Sequence, residues 1–105
     1  MSEEEKKILQ LVIQGGDARC AAMEAIEAAR AGKFAQAAVF LEQSSRTLAL
    51  AHSAQTDMLQ EELNREQGGV TLLMVHAQDH LMSAITVRDL AREIVELYRR
   101  EERVR

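Results

Sequence analysis

Two histidines and an aspartate, His76, Asp79 and His80, fall within five positions of the segment VHAQDHLM, Val75 to Met82. Spacings of i, i+3 and i+4 place them on one side of a helix. Three readings are open to such a set. The residues can form a polar network in a helix interface, each group desolvated and then satisfied by a neighbour. They can bind metal: histidines at i and i+4 hold zinc, and Asp79 would add a third ligand. The HExxH and ExxH patterns of zincins and di-iron bundles are absent, since no glutamate lies three residues before His52, His76 or His80. Finally, a neutral imidazole nitrogen can accept a phosphoryl group and pass it on. That chemistry needs a fixed tautomer, partners for the phosphate oxygens and one exposed edge. Gln78 and His80 beside the first histidine, and His52 and Gln55 on a separate segment, are the candidates to supply them.

The elements that must position these groups are helices. The 105 residues are enough for one domain and contain no proline. Almost half the chain is apolar (47%), much of it alanine, leucine and methionine, and only three residues are aromatic Phe or Tyr. These are strong helix formers, so an all-α fold is expected. Alanine lets helices approach closely but buries little surface, which favours assembly of several subunits. Glycine occurs only at Gly15, Gly16, Gly32, Gly68 and Gly69. Gly32 and the Gly68-Gly69 pair read as joints, which predicts helices over about 3–31, 34–64 and 70–102.

Each segment carries a stripe at helical spacing. The first runs Ile8, Leu11/Val12, Gly15, Ala18, Ala22, Ala25/Ile26, Ala29. Gly15-Gly16 interrupts it and suggests a kink or a close approach by another group. The second runs from Phe34 through Leu41, Ser44/Ser45, Leu48 and Ala51/His52 to Gln55 and Met58/Leu59, which puts His52 and Gln55 on the buried line. The third has two seams. One contains Leu73, Ala77, His80, Ala84, Val87, Ala91, Ile94 and Tyr98; the other contains Leu72, Val75, Asp79, Met82 and Thr86. A helix in a lone three-helix bundle keeps a polar outer face. This one is apolar on two sides, so one is expected to meet its own subunit and the other a second subunit. The final RREERVR is expected to be solvated and frayed.

Charge and composition exclude several functions. The net charge is −4, from 13 Lys plus Arg against 17 Asp plus Glu. There is no basic stripe and no aromatic stacking platform for nucleic acid. Cys20 is the single cysteine, so no intrachain disulfide can form and a reducing compartment is expected. No apolar run approaches the roughly 18 residues of a membrane span, and the acidic start MSEEEKK is unlike a signal peptide. The expectation is a cytoplasmic protein.

VHAQDHLM, with GDAR (Gly16 to Arg19) and AHSAQT (Ala51 to Thr56), resembles the enzyme IIA component of the lactose/cellobiose/chitobiose-type sugar phosphotransferase system. The resemblance spans essentially the whole chain, including the closing ELY, with the three motifs in order. It implies an antiparallel three-helix subunit that trimerises into a nine-helix assembly. It implies that His76 is phosphorylated through Nε2, by phosphoryl transfer from the phosphocarrier protein HPr. The group then passes to a cysteine of the IIB component. The membrane permease IIC, which selects the sugar, is met only indirectly. The resemblance further implies that Asp79 meets its two symmetry mates around a divalent metal ion. Three converging carboxylates repel unless protonated or bridged by a cation, and a hard cation such as Mg²⁺ suits carboxylate oxygens.

The supporting residues are less sharply assigned by the resemblance. His80 could orient His76, contact the phosphoryl group or fill a polar pocket. Gln78 is the expected donor to phosphate oxygens, with His52 and Gln55 as structural supports. Asp17 and Arg19 could line the site, or Arg19 could form a surface ion pair. Two positions depart from the family pattern. Lys33 stands where an aspartate would cap the second helix, and Cys20 replaces a common serine. Two competing functions remain open to the residues themselves: a non-catalytic helical module whose polar cluster sets register, and a two-component histidine phosphotransfer domain.

Overall fold

The structure, a computed structural model, describes residues 1–64 and 69–105. It contains three helices: α1 (Glu3–Arg30), α2 (Phe34–Leu63) and α3 (Leu72–Val104). No strand occurs among the described residues. The chain forms a rod of 61 × 20 × 19 Å. α2 runs antiparallel to the other two, so α1 and α3 run parallel. The pairings Ser44–Ala18, Gln55–Gln78 and Arg88–Ser45 set this arrangement. α1 packs more extensively on α2 and on α3 than those two pack on each other.

The helix ends follow from local chemistry. Ser2 caps α1 in a capping box: Glu5 N donates to Ser2 Oγ and Ser2 N donates to Glu5 Oε1, both at 3.1 Å. The Ser2 backbone N–H, then its hydroxyl, hold the Glu5 carboxyl below its ordinary range. Glu3, Glu4 and Glu5 also face the positive end of the helix dipole. α1 stops at Gly32, whose φ of 78° is left-handed. Lys33 N donates to Ala28 O at 2.9 Å and Gly32 N to Ala29 O at 3.0 Å, a Schellman closure. Lys33 then occupies the N-cap of α2 without a side-chain cap bond. α3 begins with Thr71, whose Oγ1 accepts from Met74 N at 3.1 Å. The expected start at residue 70 is therefore two residues early, because the threonine hydroxyl fixes the first turn. Of the glycine joint expected there, Gly68 lies outside the described residues.

The core is built from small residues in two clusters. One joins Ile8, Leu11, Ala18, Leu48, Ala51, Ala77, Leu81 and Ala84. The other joins Ala25, Ala28, Ala29, Ala37 and Val95, with Phe34 and Tyr98 packed against it. Buried Ser44 is satisfied by donating to Ala18 O at 2.7 Å. Arg88 and Arg92 both reach Ser45 Oγ, at 3.3 and 3.4 Å, and tie α3 to α2. Arg99 lies 5.6 Å from the Phe34 ring centroid, a cation–π contact.

Gly15 and Gly16 do not break α1, which runs through both. They differ in surroundings. A Cβ on Gly15 would sit 3.3 Å from the carbonyl carbon and oxygen of His80, whereas one on Gly16 would meet nothing within 4 Å. The close approach anticipated from the pair is thus real at Gly15, and it docks α3 on α1 at His80. Gly16→Ala is expected to stabilise the subunit by about 0.5–1 kcal/mol, the usual gain in a helix interior. Gly15→Ala should forfeit that gain, because α3 must yield by a few tenths of an ångström. Urea midpoints of the two variants check this; equal stabilisation would mean α1 and α3 are not in contact there.

The seam Leu72, Val75, Asp79, Met82, Thr86 extends along the outer face of α3 to Leu90 and Leu97. Within the subunit it is open: Leu72 is 86% exposed, Met82 56% and Leu90 58%. The opposite side of the helix, from Ala77 through Leu81, Ala84 and Ala91 to Val95, is buried. The RREERVR end is solvated but remains helical to Val104. Arg100–Glu96 at 3.5 Å and Arg105–Glu101 at 3.0 Å, both i,i+4 pairs, line it. No helix among the described residues is long and apolar enough to cross a membrane.

Candidate functional site

The site lies on the second and third turns of α3. His76 is exposed and His80 half-buried. Their ring centroids are 4.6 Å apart and the planes meet at 66°, an edge-to-face contact. The His80 main chain rests on Gly15, so the backbone carrying both rings is fixed against α1. His76 therefore stands on a rigid element with its ring open to solvent.

The two rings share an open depression of about 150 Å³ with Arg19, Asp79 and Ser83. Ser83 escaped the sequence reading; its signal was its place seven residues after His76, on the same side of the helix. Arg19 reaches the depression from α1. An adjoining groove along Arg19, Met82, Ser83, Thr86 and Val87 continues it down the α1–α3 seam. Asp17, the other candidate of that motif, is exposed and does not line the depression.

Gln78 is not beside His76. Two residues on a helix turn through about 200°, which carries its side chain to the α2 side. There Gln78 Oε1 accepts a hydrogen bond from Gln55 Nε2. Gln55 is buried, as its stripe predicted, and the amide pair braces α2 against α3 behind the site. Within the subunit, Gln78, the expected donor at the histidine, therefore stands on the α2 side with its Oε1 taken by Gln55. His52 is also off the buried line. Ala51 takes that line, and His52, about 100° further round, is exposed. Among the described residues its side chain makes no hydrogen bond, ion pair or ring contact; its carbonyl accepts from Thr56 Oγ1 at 3.0 Å.

His76, Asp79 and His80 do not form a metal centre within one chain. Among the described residues no group of three or more His, Cys, Asp or Glu side chains is placed to hold an ion. Asp79 is an exposed carboxylate on the outer stripe, between Val75, 43% exposed, and Met82. A single carboxylate among apolar neighbours suits a cation only when other copies of the chain bring theirs. The donor chemistry fits a hard ion shared between subunits.

Comparisons with known proteins place the chain. The family described as "PTS system, Lactose/Cellobiose specific IIA subunit" matches residues 6–99. The lichenan-specific phosphotransferase enzyme IIA component of Bacillus subtilis (strain 168) is 50% identical over 99 residues, covering 93% of this chain and 90% of that protein. The crystal structure of the PTS cellobiose-specific enzyme IIA from Bacillus anthracis is 40% identical. It superposes with a TM-score of 0.91 over 97% of this chain and 94% of that one. The IIA(Chitobiose) chain in its complex with HPr, from the N,N'-diacetylchitobiose branch of the Escherichia coli phosphotransferase system, is 34% identical. Its TM-score is 0.83, over 97% of this chain and 99% of that one.

Proposed function

This chain belongs to the lactose/cellobiose-specific IIA subunit family of the phosphotransferase system, and from that premise we propose that it carries a phosphoryl group on His76 between HPr and a IIB component. The observation that carries the reading is the exposed His76 ring, held by the docked backbone of α3 at an open depression that also contains a cation. The complex of the chitobiose relative with HPr supports HPr as the donor.

The chemistry asks little of acid–base groups. A neutral ring nitrogen of His76 attacks the phosphorus of phosphorylated HPr in line. The P–N bond to HPr breaks and its electron pair returns to the HPr imidazole. In the second transfer a cysteine thiolate of IIB attacks the same phosphorus, and the pair returns to His76. Such transfers depend on positioning and charge stabilisation. The apolar surface nearby, at Val75 and Met82, would help a docked partner exclude water during transfer. His80, edge-on to His76, is placed to restrict the ring's rotation.

The open outer stripe of α3 supports a homotrimer, a nine-helix assembly in which three Asp79 side chains would hold one Mg²⁺. That ion would neutralise charge at the interface; the phosphoryl steps do not pass through it. Asp79→Asn is expected to make the assembly indifferent to chelation. EDTA should weaken the native trimer by about tenfold or more in dissociation constant, roughly 1.4 kcal/mol, and leave the Asn variant unchanged. Native mass spectrometry reads both. Identical responses of the two proteins would remove the metal from this account.

Incubation with phosphorylated HPr and intact-mass measurement test the function itself. One phosphoryl per chain, labile to acid and stable to alkali, is expected. A chain that takes up none would instead be a non-catalytic assembly module.

A further inference from the structure

We propose that the Arg19 guanidinium binds the phosphoryl oxygens once the group is on His76. This rests on the reading of His76 as the phosphoryl acceptor. Among the described residues, Arg19 is the one Lys or Arg side chain lining the depression that also contains His76, Asp79, His80 and Ser83. Its position follows from packing. Gly15 admits the His80 main chain, so α1 and α3 are in register there. The helices are parallel, and Arg19, one turn beyond Gly15, comes level with Ser83. Side chains on a helix lean toward its N-terminus, which carries the guanidinium back toward His80 and His76.

Charge supplies the second argument. Phosphorylation puts up to two negative charges beside the Asp79 carboxylate, on a chain whose net charge is already −4. Like charges at such range disfavour the phosphorylated form. A guanidinium offsets them and presents paired N–H donors that match phosphate oxygens. Among the described residues, Arg19 makes no hydrogen bond or ion pair that would have to break first. Gln78, in contrast, does not line the depression; it projects to the α2 side, where its Oε1 accepts from Gln55 Nε2.

During transfer the P–N bond to HPr breaks as the P–N bond to His76 forms. Arg19 donates N–H bonds to non-bridging oxygens throughout and neither gains nor loses a proton. Arg19→Ala should slow phosphoryl uptake from phosphorylated HPr by roughly ten- to a hundredfold. Arg19→Lys, which keeps the charge but not the planar fork, should recover part of the rate. Arg30→Ala removes a cation paired with Glu27 at the C-terminal end of α1, about three turns beyond Arg19, and should transfer as the native chain does. The ³¹P resonance of the phosphohistidine should move in Arg19→Ala, a change that a purely structural role leaves untouched. Native rate and unshifted resonance in Arg19→Ala would overturn the proposal. So would loss of the native oligomer mass in the Ala and Lys variants alike, which would make Arg19 an interface residue. A native chain that accepts no phosphoryl at all overturns the acceptor reading itself.

Discussion

His76→Ala is expected to fold normally and to accept no phosphoryl group from phosphorylated HPr, a loss on the order of 10³-fold or more in rate. The two halves of that result have separate causes. The His76 side chain is exposed, so truncation removes little packing, and alanine is the better helix former. Urea stability should change by no more than about 0.5 kcal/mol. The chemistry has no substitute. His80 is the nearest second imidazole, but it is half-buried and its backbone is pinned on Gly15. The ring cannot slide one turn along α3 to take the place of the first. His80→Ala should therefore still be labelled, more slowly if its edge contact orients the His76 ring. His52, exposed on α2, should be dispensable for labelling. Intact mass of the three variants after incubation with phosphorylated HPr distinguishes these outcomes. Stoichiometric phosphate on His76→Ala would move the acceptor to another residue.

The three helices and the Gly32 joint were legible in the sequence because each rests on local rules. Gly32 at the end of an alanine-rich run is the residue that closes a helix with positive φ. The excess of apolar residues on α3 shows in the subunit as an open stripe from Leu72 to Leu97. What was not legible depends on how one helix rotates against another. Ala51 and His52 are adjacent on the α2 stripe, and only the fit against α1 and α3 decides which is covered. Gln78 lies two positions from His76 and looks close in a linear reading, but helical rotation sends it to Gln55. Arg19, nearly sixty residues from the histidines, was legible only as one of two alternatives, lining the site or forming a surface ion pair. Its arrival at the site follows from the contact between Gly15 and His80, which no periodicity encodes. The C-terminal charges looked like a frayed tail, yet their i,i+4 spacing suits a helix.

Leu81 should prove the most sensitive core position. It is the largest hydrophobic side chain in the fully buried core, at 0% exposure, and its cluster includes Ala18, Ala51, Ala77 and Ala84. Four of its seven cluster neighbours are alanines, which have no rotamers with which to fill a void; Ile8, Leu11 and Leu48 are the others. Most of the cavity left by Leu81→Ala would persist, so the cost belongs in the upper half of the usual 2.7–5 kcal/mol range, about 4 kcal/mol. The total stability of a domain this size is about 5–15 kcal/mol, so the subunit should become marginal. The site should suffer with it, because Leu81 adjoins the His80 backbone that docks on Gly15. Leu90 is the matched contrast. It carries the same side chain on the same helix, but it is 58% exposed on the outer stripe. Leu90→Ala should leave the unfolding free energy of a dissociated subunit within about 0.5 kcal/mol of the native value, while weakening assembly if that stripe is where subunits meet. Urea denaturation at low protein concentration, together with oligomer mass at high concentration, separates the two effects. A Leu90→Ala chain that assembles as tightly as the native one would place the subunit contact elsewhere on the rod. A Leu81→Ala chain as stable as the native one would mean that the alanine core repacks, against the reason given for its cost.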